Sequence, residues 1–128
     1  MQVVELLKML ITLETGYRRL DGEIAKILGW REVAEKLTED GETKTRYVWL
    51  HPENGQPGKV PFYTTNLDAA IQFAEAACPN ERCGFSWEDG KASARLGNGP
   101  YFQAKNPILA LSAAALHRVV TTTARVPE

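Results

Sequence analysis

The chain has 128 residues, of which 44% are hydrophobic and 24% charged, and its formal net charge is -1. This size suits one domain with its own core, and the small net charge excludes a general attraction to nucleic acid polymers or anionic membranes. No apolar run approaches the roughly 20 residues of a membrane span, and the first residues do not match a secretory signal. We therefore expect a single cytoplasmic domain that binds neither a membrane nor a nucleic acid polymer.

The two cysteines, Cys78 and Cys83, are close enough in sequence to close a small loop, but a reducing cytosol favours two free thiols. Structural zinc needs four ligands at paired short spacings. The two histidines, His51 and His117, are far in sequence from the cysteines and from each other. We expect no metal site and no cofactor.

Apolar residues at helical spacing predict two helices near the N-terminus. The first stripe predicts a helix over residues 2–14, followed by Gly16 as its left-handed C-terminal residue. Asp21 is the candidate N-cap of a second helix, which Gly29 ends. Both apolar stripes are expected to face the core.

The next part of the chain has the composition of strands and loops. Residues 31–37 are ambiguous, because their apolar residues also fit a helical spacing. Residues 38–41 form a polar turn with an Asp-Gly pair, and residues 46–50 are rich in strand formers. Residues 51–59 contain two prolines and two glycines, which predicts a loop that is available to a partner.

Residues 60–77 are predicted to connect a strand to a helix. Residues 60–64 are aromatic and β-branched, which suits an extended segment on a half-buried sheet. Thr65 and Asp68 fit a capping box, and the apolar residues that follow recur at helical spacing until Pro79. This stretch is expected to set how a sheet meets the helices.

A β-hairpin is predicted beyond this helix. Residues 83–87 and 91–96 flank an Asp89-Gly90 pair, which is the strongest short-range hairpin signal in a sequence. Residues 101–105 are expected to add a short edge strand.

The last helix is predicted over residues 107–120. Asn106 is its candidate N-cap and Pro107 occupies the first helical position, where the missing N–H has no cost. We expect residues 1–120 to form the single domain and residues 121–128 to form a flexible C-terminal tail. Helices and hairpin-connected strands in this order indicate an α+β fold on a mainly antiparallel sheet, with enough helices to cover both faces.

Three runs resemble the phage ABA sandwich domain family, whose members are small proteins of bacteriophages and prophage-bearing bacterial genomes. They are LDGEIAKILGW at residues 20–30, PFYTTNLDAA at residues 61–70 and NPILALSAAAL at residues 106–116. The resemblance covers nearly the full chain in the same order. It implies a sheet sandwiched between helical layers, an α/β/α three-layer sandwich, and favours extended chain at residues 31–37.

The resemblance also implies a phage or prophage protein in the cytoplasm of the host bacterial cell. In size and layout the chain is similar to small phage anti-defence proteins, the sponges that sequester cyclic ADP-ribose and cyclic dinucleotide signals of host immunity. No ligand-binding residue is transferred from those sponges.

No catalytic arrangement is visible in the sequence. The cysteines and histidines have no supporting local motif for a nucleophile and base, and neither a P-loop nor a G-x-G-x-x-G motif is present. We therefore expect a protein that is not an enzyme.

Arginines and aromatic residues offer a better basis for binding a small nucleotide-type ligand. Arginine matches phosphate oxygens bidentately, and a purine ring stacks on an aromatic side chain. The candidate ligand-binding residues are Arg18, Arg19, Arg31, Trp87 and Tyr101. Most other aromatic residues are expected to fill the core.

Two functions follow as hypotheses. The first is a sponge that sequesters a nucleotide immune signal at the interface of a homo-oligomer. The alternative is a phage accessory module without a small ligand, which binds a host or phage protein through residues 51–59 or an exposed sheet edge.

Overall fold

The computed structural model describes residues 1–125, in which four helices and two three-stranded antiparallel sheets form an α+β fold. The elements in chain order are α1 (Val3–Thr12), α2 (Arg18–Ile27), β1 (Arg31–Glu39), β2 (Glu42–Leu50), β3 (Pro57–Gly58), α3 (Leu67–Ala77), β4 (Cys83–Glu88), β5 (Lys91–Leu96), β6 (Phe102–Ala104) and α4 (Pro107–Arg125). The predicted α+β class and antiparallel pairing are confirmed. The strands form two sheets, with orders β1–β2–β3 and β4–β5–β6, rather than one.

Both N-terminal helices are present, but two of their predicted end residues have other roles. Gly16 is not in the left-handed region, and an added Cβ there would overlap Thr64, so close packing explains this glycine. Asp21 lies inside α2 rather than at its N-cap, where its buried carboxylate binds Thr64. Gly29, with a φ of 100°, follows α2 as predicted.

Strands β1 and β2 form a long hairpin, here called the arm. Their register runs from Arg31 opposite Leu50 to Glu39 opposite Glu42, which makes the ambiguous residues 31–37 part of a strand. Asp40 and Gly41 have φ angles of 49° and 78°, and positive φ at both turn residues matches the right-handed twist of the strands. Most arm side chains are exposed.

Residues 60–64 are not a strand, and this prediction is wrong. Side chains from two helices satisfy the backbone here instead of a ladder of strand hydrogen bonds. The Asp21 carboxylate accepts a hydrogen bond from the Thr64 N–H, and the buried Ser112 hydroxyl donates to the Tyr63 carbonyl at 2.6 Å. The segment therefore lies between α2 and α4 and is held by a side chain from each helix.

The helix α3 begins one residue later than the capping box predicts. Asn66 is the N-cap, and its side-chain oxygen accepts a hydrogen bond from the Ala69 N–H at 2.9 Å. Thr65 lies in the turn before it. An asparagine oxygen satisfies a free amide of the first helical turn as well as a threonine hydroxyl does, which is why Asn66 can replace Thr65 in this role.

The C-terminal hairpin, edge strand and helix are confirmed, and α4 packs on one face of the second sheet, β4–β5–β6. Asn106 caps α4 by accepting from the Leu109 N–H, as predicted. The helix continues to Arg125, past the predicted end at Val120, so residues 121–125 are not a tail. The remainder of the predicted tail, residues 126–128, lies outside the described residues.

Candidate functional site

The second sheet has one face against α4 and one open face. Side chains alternate along β5, so that Ala92, Ala94 and Leu96 are buried toward the helix while Ser93 and Arg95 are only half-buried on the other side. Helices therefore pack on a single face of this sheet, and the opposite face carries polar side chains.

The antiparallel register aligns residues of neighbouring strands in rows across the open face. Gly84 of β4 lies opposite Arg95 of β5, and the β5–β6 register extended by one residue sets Tyr101 on the other side of Arg95. The next row consists of Ser86, Ser93 and Gln103. Two rows thus bring one cation, one aromatic ring and three neutral polar side chains together.

Neutral partners orient the guanidinium of Arg95. Its Nε donates a hydrogen bond to the Gly99 carbonyl at 2.8 Å, and its Cζ lies 4.9 Å from the centre of the Tyr101 ring. No carboxylate of residues 1–125 forms an ion pair with it. Its positive charge is therefore available to an anion.

Glycine at position 84 leaves room beside this arginine. A Cβ added to Gly84 would meet no atom within 4 Å. The space belongs to a hollow of about 490 Å³, which is lined by Gly84, Ser86, Ser93, Arg95 and Tyr101 among others. We call these five residues the groove. Small-molecule sites in proteins have volumes of about 300–1,000 Å³, so a nucleotide-sized ligand fits the groove.

The hollow at the groove measures about 490 Å³, and a separate cavity of about 540 Å³ lies on the helix side of β4. A third hollow, of about 240 Å³, adjoins the groove and shares Ser86 and Ser93 with it. Trp87 borders this third hollow, but its ring stacks with Phe85 on the helix side of the strand, at 6.0 Å between ring centres. Trp87 therefore lies on the helix side of the sheet and Tyr101 on the open face, and each is 68% exposed.

The predicted residues Arg18 and Arg19 lie elsewhere, in a cleft of about 340 Å³ between α2 and the base of the arm. Arg18 is already engaged. Its guanidinium pairs with Asp21, donates to the carbonyls of Val60 and Pro61, and covers the Phe62 ring at 4.0 Å. Its contacts give it a structural role in joining α2 to residues 60–64.

The predicted residue Arg31 begins β1 and lines none of the hollows described above. Its neighbour Glu32 lines the cleft together with Trp49, and adjacent strand residues point to opposite faces, so Arg31 faces away from the cleft. The five predicted residues thus occupy four separate places. Sequence analysis missed Arg95, although the alternation in KASARL (residues 91–96) indicates that Ser93 and Arg95 share a face.

The cavity on the helix side of β4 contains the two thiols. It lies between α3, α4 and β4 and is lined by Ile71, Cys78, Cys83, Phe85 and Leu111 among others. Both cysteines are free. Burial, with the neighbouring Glu81 carboxylate and Cys83 thiol, raises the pKa of Cys78 to about 11. A buried thiol of raised pKa is a poor nucleophile.

Neither His51 nor His117 lines the groove or the cavity. The His51 ring lies 4.4 Å from Trp30 and the His117 ring lies 5.1 Å from Phe102, each packed against an aromatic side chain. Within residues 1–125, no three His, Cys, Asp or Glu side chains are grouped so that they could hold a metal ion. The groove is thus equipped to bind a ligand by charge, stacking and hydrogen bonds.

Comparisons with protein-family models, curated proteins and solved structures give no match for the chain. None of the helices in the described residues is both long and apolar enough to span a bilayer. The resemblance to the phage ABA sandwich domain family stays a prediction, and the function has to be argued from the geometry of the groove.

Proposed function

We propose that the protein binds a small nucleotide-type anion in the groove and holds it chemically unchanged. The observation that carries this proposal is the guanidinium of Arg95, which is oriented by the Gly99 carbonyl and the Tyr101 ring and has no carboxylate partner within residues 1–125. An oriented arginine beside an exposed aromatic ring matches a phosphate joined to a base.

Each part of such a ligand has a partner in the groove. The Arg95 Nη1 donates to the Tyr101 hydroxyl at 3.4 Å, and the remaining N–H groups of the guanidinium bind phosphate oxygens, while the exposed face of Tyr101 stacks on the base. The hydroxyls of Ser86 and Ser93 are placed to bond ribose or phosphate oxygens, while Gly84 keeps the surface open.

Binding without chemistry is the mode of action of a sponge. As a phage or prophage protein in the cytoplasm of the host bacterial cell, the chain would sequester a cyclic ADP-ribose isomer or a cyclic dinucleotide and so counteract host defence. We further propose that it acts as a homo-oligomer and without a cofactor. The resemblance of residues 20–30, 61–70 and 106–116 to the phage family supports this biological setting.

The test is to incubate the purified protein with cyclic dinucleotides and cyclic ADP-ribose isomers, to follow the melting temperature, and to weigh what heating releases. A ligand that binds only the native state stabilises it by RT ln(1 + [L]/Kd), so a true ligand raises the melting temperature. Recovery of the unchanged input molecule supports a sponge, whereas an altered molecule identifies an enzyme.

Three variants localise the binding. Arg95→Ala and Tyr101→Ala remove the charge and the stacking surface, and Gly84→Leu fills the hollow with a side chain that meets no neighbouring atom at its Cβ. Each is expected to weaken binding at least about tenfold, which corresponds to about 1.4 kcal/mol. Matched controls on the arm are Arg46→Ala and Tyr47→Ala, which should bind as the wild type does. Equal losses of ligand binding in the arm variants would contradict the groove as the binding site.

The exposed arm favours a second candidate function, a phage accessory module that binds a host or phage protein. Tyr47 is 66% and Leu37 is 37% exposed on the arm, and an isolated two-stranded hairpin has little stability of its own. Residues 51–59, predicted as a loop, follow directly and include the two-residue strand β3. This function predicts no stabilisation by any nucleotide and a bound protein that Tyr47→Ala releases and Tyr101→Ala does not.

A further inference from the structure

We propose that two copies of the chain pair edge to edge through β4, about a two-fold axis at Phe85. Strand β4 is at the edge of the order β4–β5–β6, and all its residues except Phe85 are exposed. The backbone groups along its outer side therefore lack a strand partner among residues 1–125, which makes this edge a template for another strand.

Symmetry restricts the possible registers. A two-fold axis perpendicular to the sheet gives an antiparallel pair and keeps each face on its own side, so two opposite residues must belong to the same face. With Phe85 on the axis, Arg82 lies opposite Glu88 of the second copy. In the same register, Cys83 lies opposite Trp87 and Gly84 lies opposite Ser86.

Charge favours this register over the two neighbouring registers. Arg82 and Glu88 are both exposed, and the two-fold axis places an Arg82–Glu88 pair at each end of the interface. Moving the axis to Gly84 would place Glu88 opposite Asn80, and moving it to Ser86 would place Glu88 opposite Gly84. Both shifts remove the two ion pairs, and opposite charges on facing strand positions favour pairing.

The cavity on the helix side of β4 gives the second argument. Cys83 and Phe85 line it, and Trp87 lies on the same side of the strand with 68% of its surface exposed. In this register, Trp87 of the second copy stands opposite Cys83, at the cavity. A tryptophan buries about 150–250 Å², so each copy would cover its largest exposed aromatic side chain and close the other copy's cavity.

This interface goes beyond ligand binding and does not depend on it. It would join two sheets into one of six strands, with the open faces on the same side. Ser86 of the second copy would then lie next to Gly84, so each groove would continue into its partner.

The test is the mass of the ligand-free protein by light scattering. The wild type is expected at about twice the chain mass of 14.2 kDa. Arg82→Glu and Glu88→Arg each place like charges at both ends of the interface and should shift the mass toward one chain. An equimolar mixture of the two variants should regain the doubled mass, because each introduced charge then meets an opposite one.

The charge reversal Lys44→Glu on the arm is the control and should leave the mass doubled. Glu88 also lies 3.6 Å from Lys91 in its own hairpin, so the melting temperature of each variant is checked to show that it is folded. The interface is overturned if the wild type has the mass of a single chain. It is also overturned if neither charge reversal lowers the mass, or if the mixture of the two variants does not regain the doubled mass. A single chain that still captures a nucleotide would reject the interface and keep the groove.

Discussion

Asp21 accepts two hydrogen bonds from Thr64, one from its backbone N–H and one from its hydroxyl, each at 2.8 Å. Both residues are buried. Arg18 adds an ion pair to the second carboxylate oxygen of Asp21 at 3.0 Å. This cluster attaches α2 to the irregular segment that precedes α3, and it explains why a carboxylate is buried in the first turn of a helix.

Removing this carboxylate should destabilise the fold. Asp21→Ala leaves the buried Thr64 N–H without its acceptor and removes the ion pair with Arg18, and we expect a loss of about 3 kcal/mol in the free energy of unfolding. Glu35→Ala is the control, because its pair with Arg46 is exposed and should contribute less than about 1 kcal/mol. Urea denaturation measures both, and equal losses would refute the structural role of Asp21.

The same substitution should destabilise the protein at one glycine and have little effect at another. In Gly16→Ala the new Cβ would overlap the backbone and side chain of Thr64, and we expect a loss of about 1–3 kcal/mol. In Gly84→Ala the new Cβ meets no atom within 4 Å, so stability should change by less than about 0.5 kcal/mol. Thermal unfolding of the two variants distinguishes them, and a Gly16→Ala protein as stable as wild type would contradict the contact with Thr64.

The start of α3 depends on Asn66 and not on Thr65. Asn66→Ala removes the acceptor for the Ala69 N–H, which should cost about 1 kcal/mol. Thr65→Ala should change stability by less than about 0.5 kcal/mol. Chemical denaturation of the two variants side by side tests this order, and a larger loss for Thr65→Ala would restore the capping box that the sequence predicts.

The two thiols should differ in reactivity. At pH 8 a thiol with a pKa of about 11 is roughly one part in a thousand thiolate, and Cys78 is also buried, whereas Cys83 is exposed. Iodoacetamide should therefore modify Cys83 first in the Arg82→Glu variant, in which no second copy covers Cys83, as followed by mass spectrometry of the peptides. Because the raised pKa keeps Cys78 protonated, its modification should accelerate as the pH rises toward 11. Rapid labelling of Cys78 at pH 8 would contradict its burial.

Local patterns in the sequence were sufficient for most elements. Asp89-Gly90 predicted the hairpin, and Asn106-Pro107 predicted the start of α4, because turn and cap preferences act over a few residues. The spacing of apolar residues does not distinguish helix from strand at residues 31–37. At residues 60–64, composition predicts a strand that the structure does not have. Their conformation depends on partners distant in sequence, which periodicity does not contain.

The sequence by itself determined the α+β class, the four helices and the hairpin at Asp89-Gly90, since these follow from periodicity and local backbone preferences. Only the tertiary structure decided that Arg95 lies between Gly84 and Tyr101, that Arg18 is held by Asp21, and that the strands divide into two sheets. Strand register and burial are set by contacts between residues far apart in the chain, so a site that crosses strands becomes visible only when they are paired.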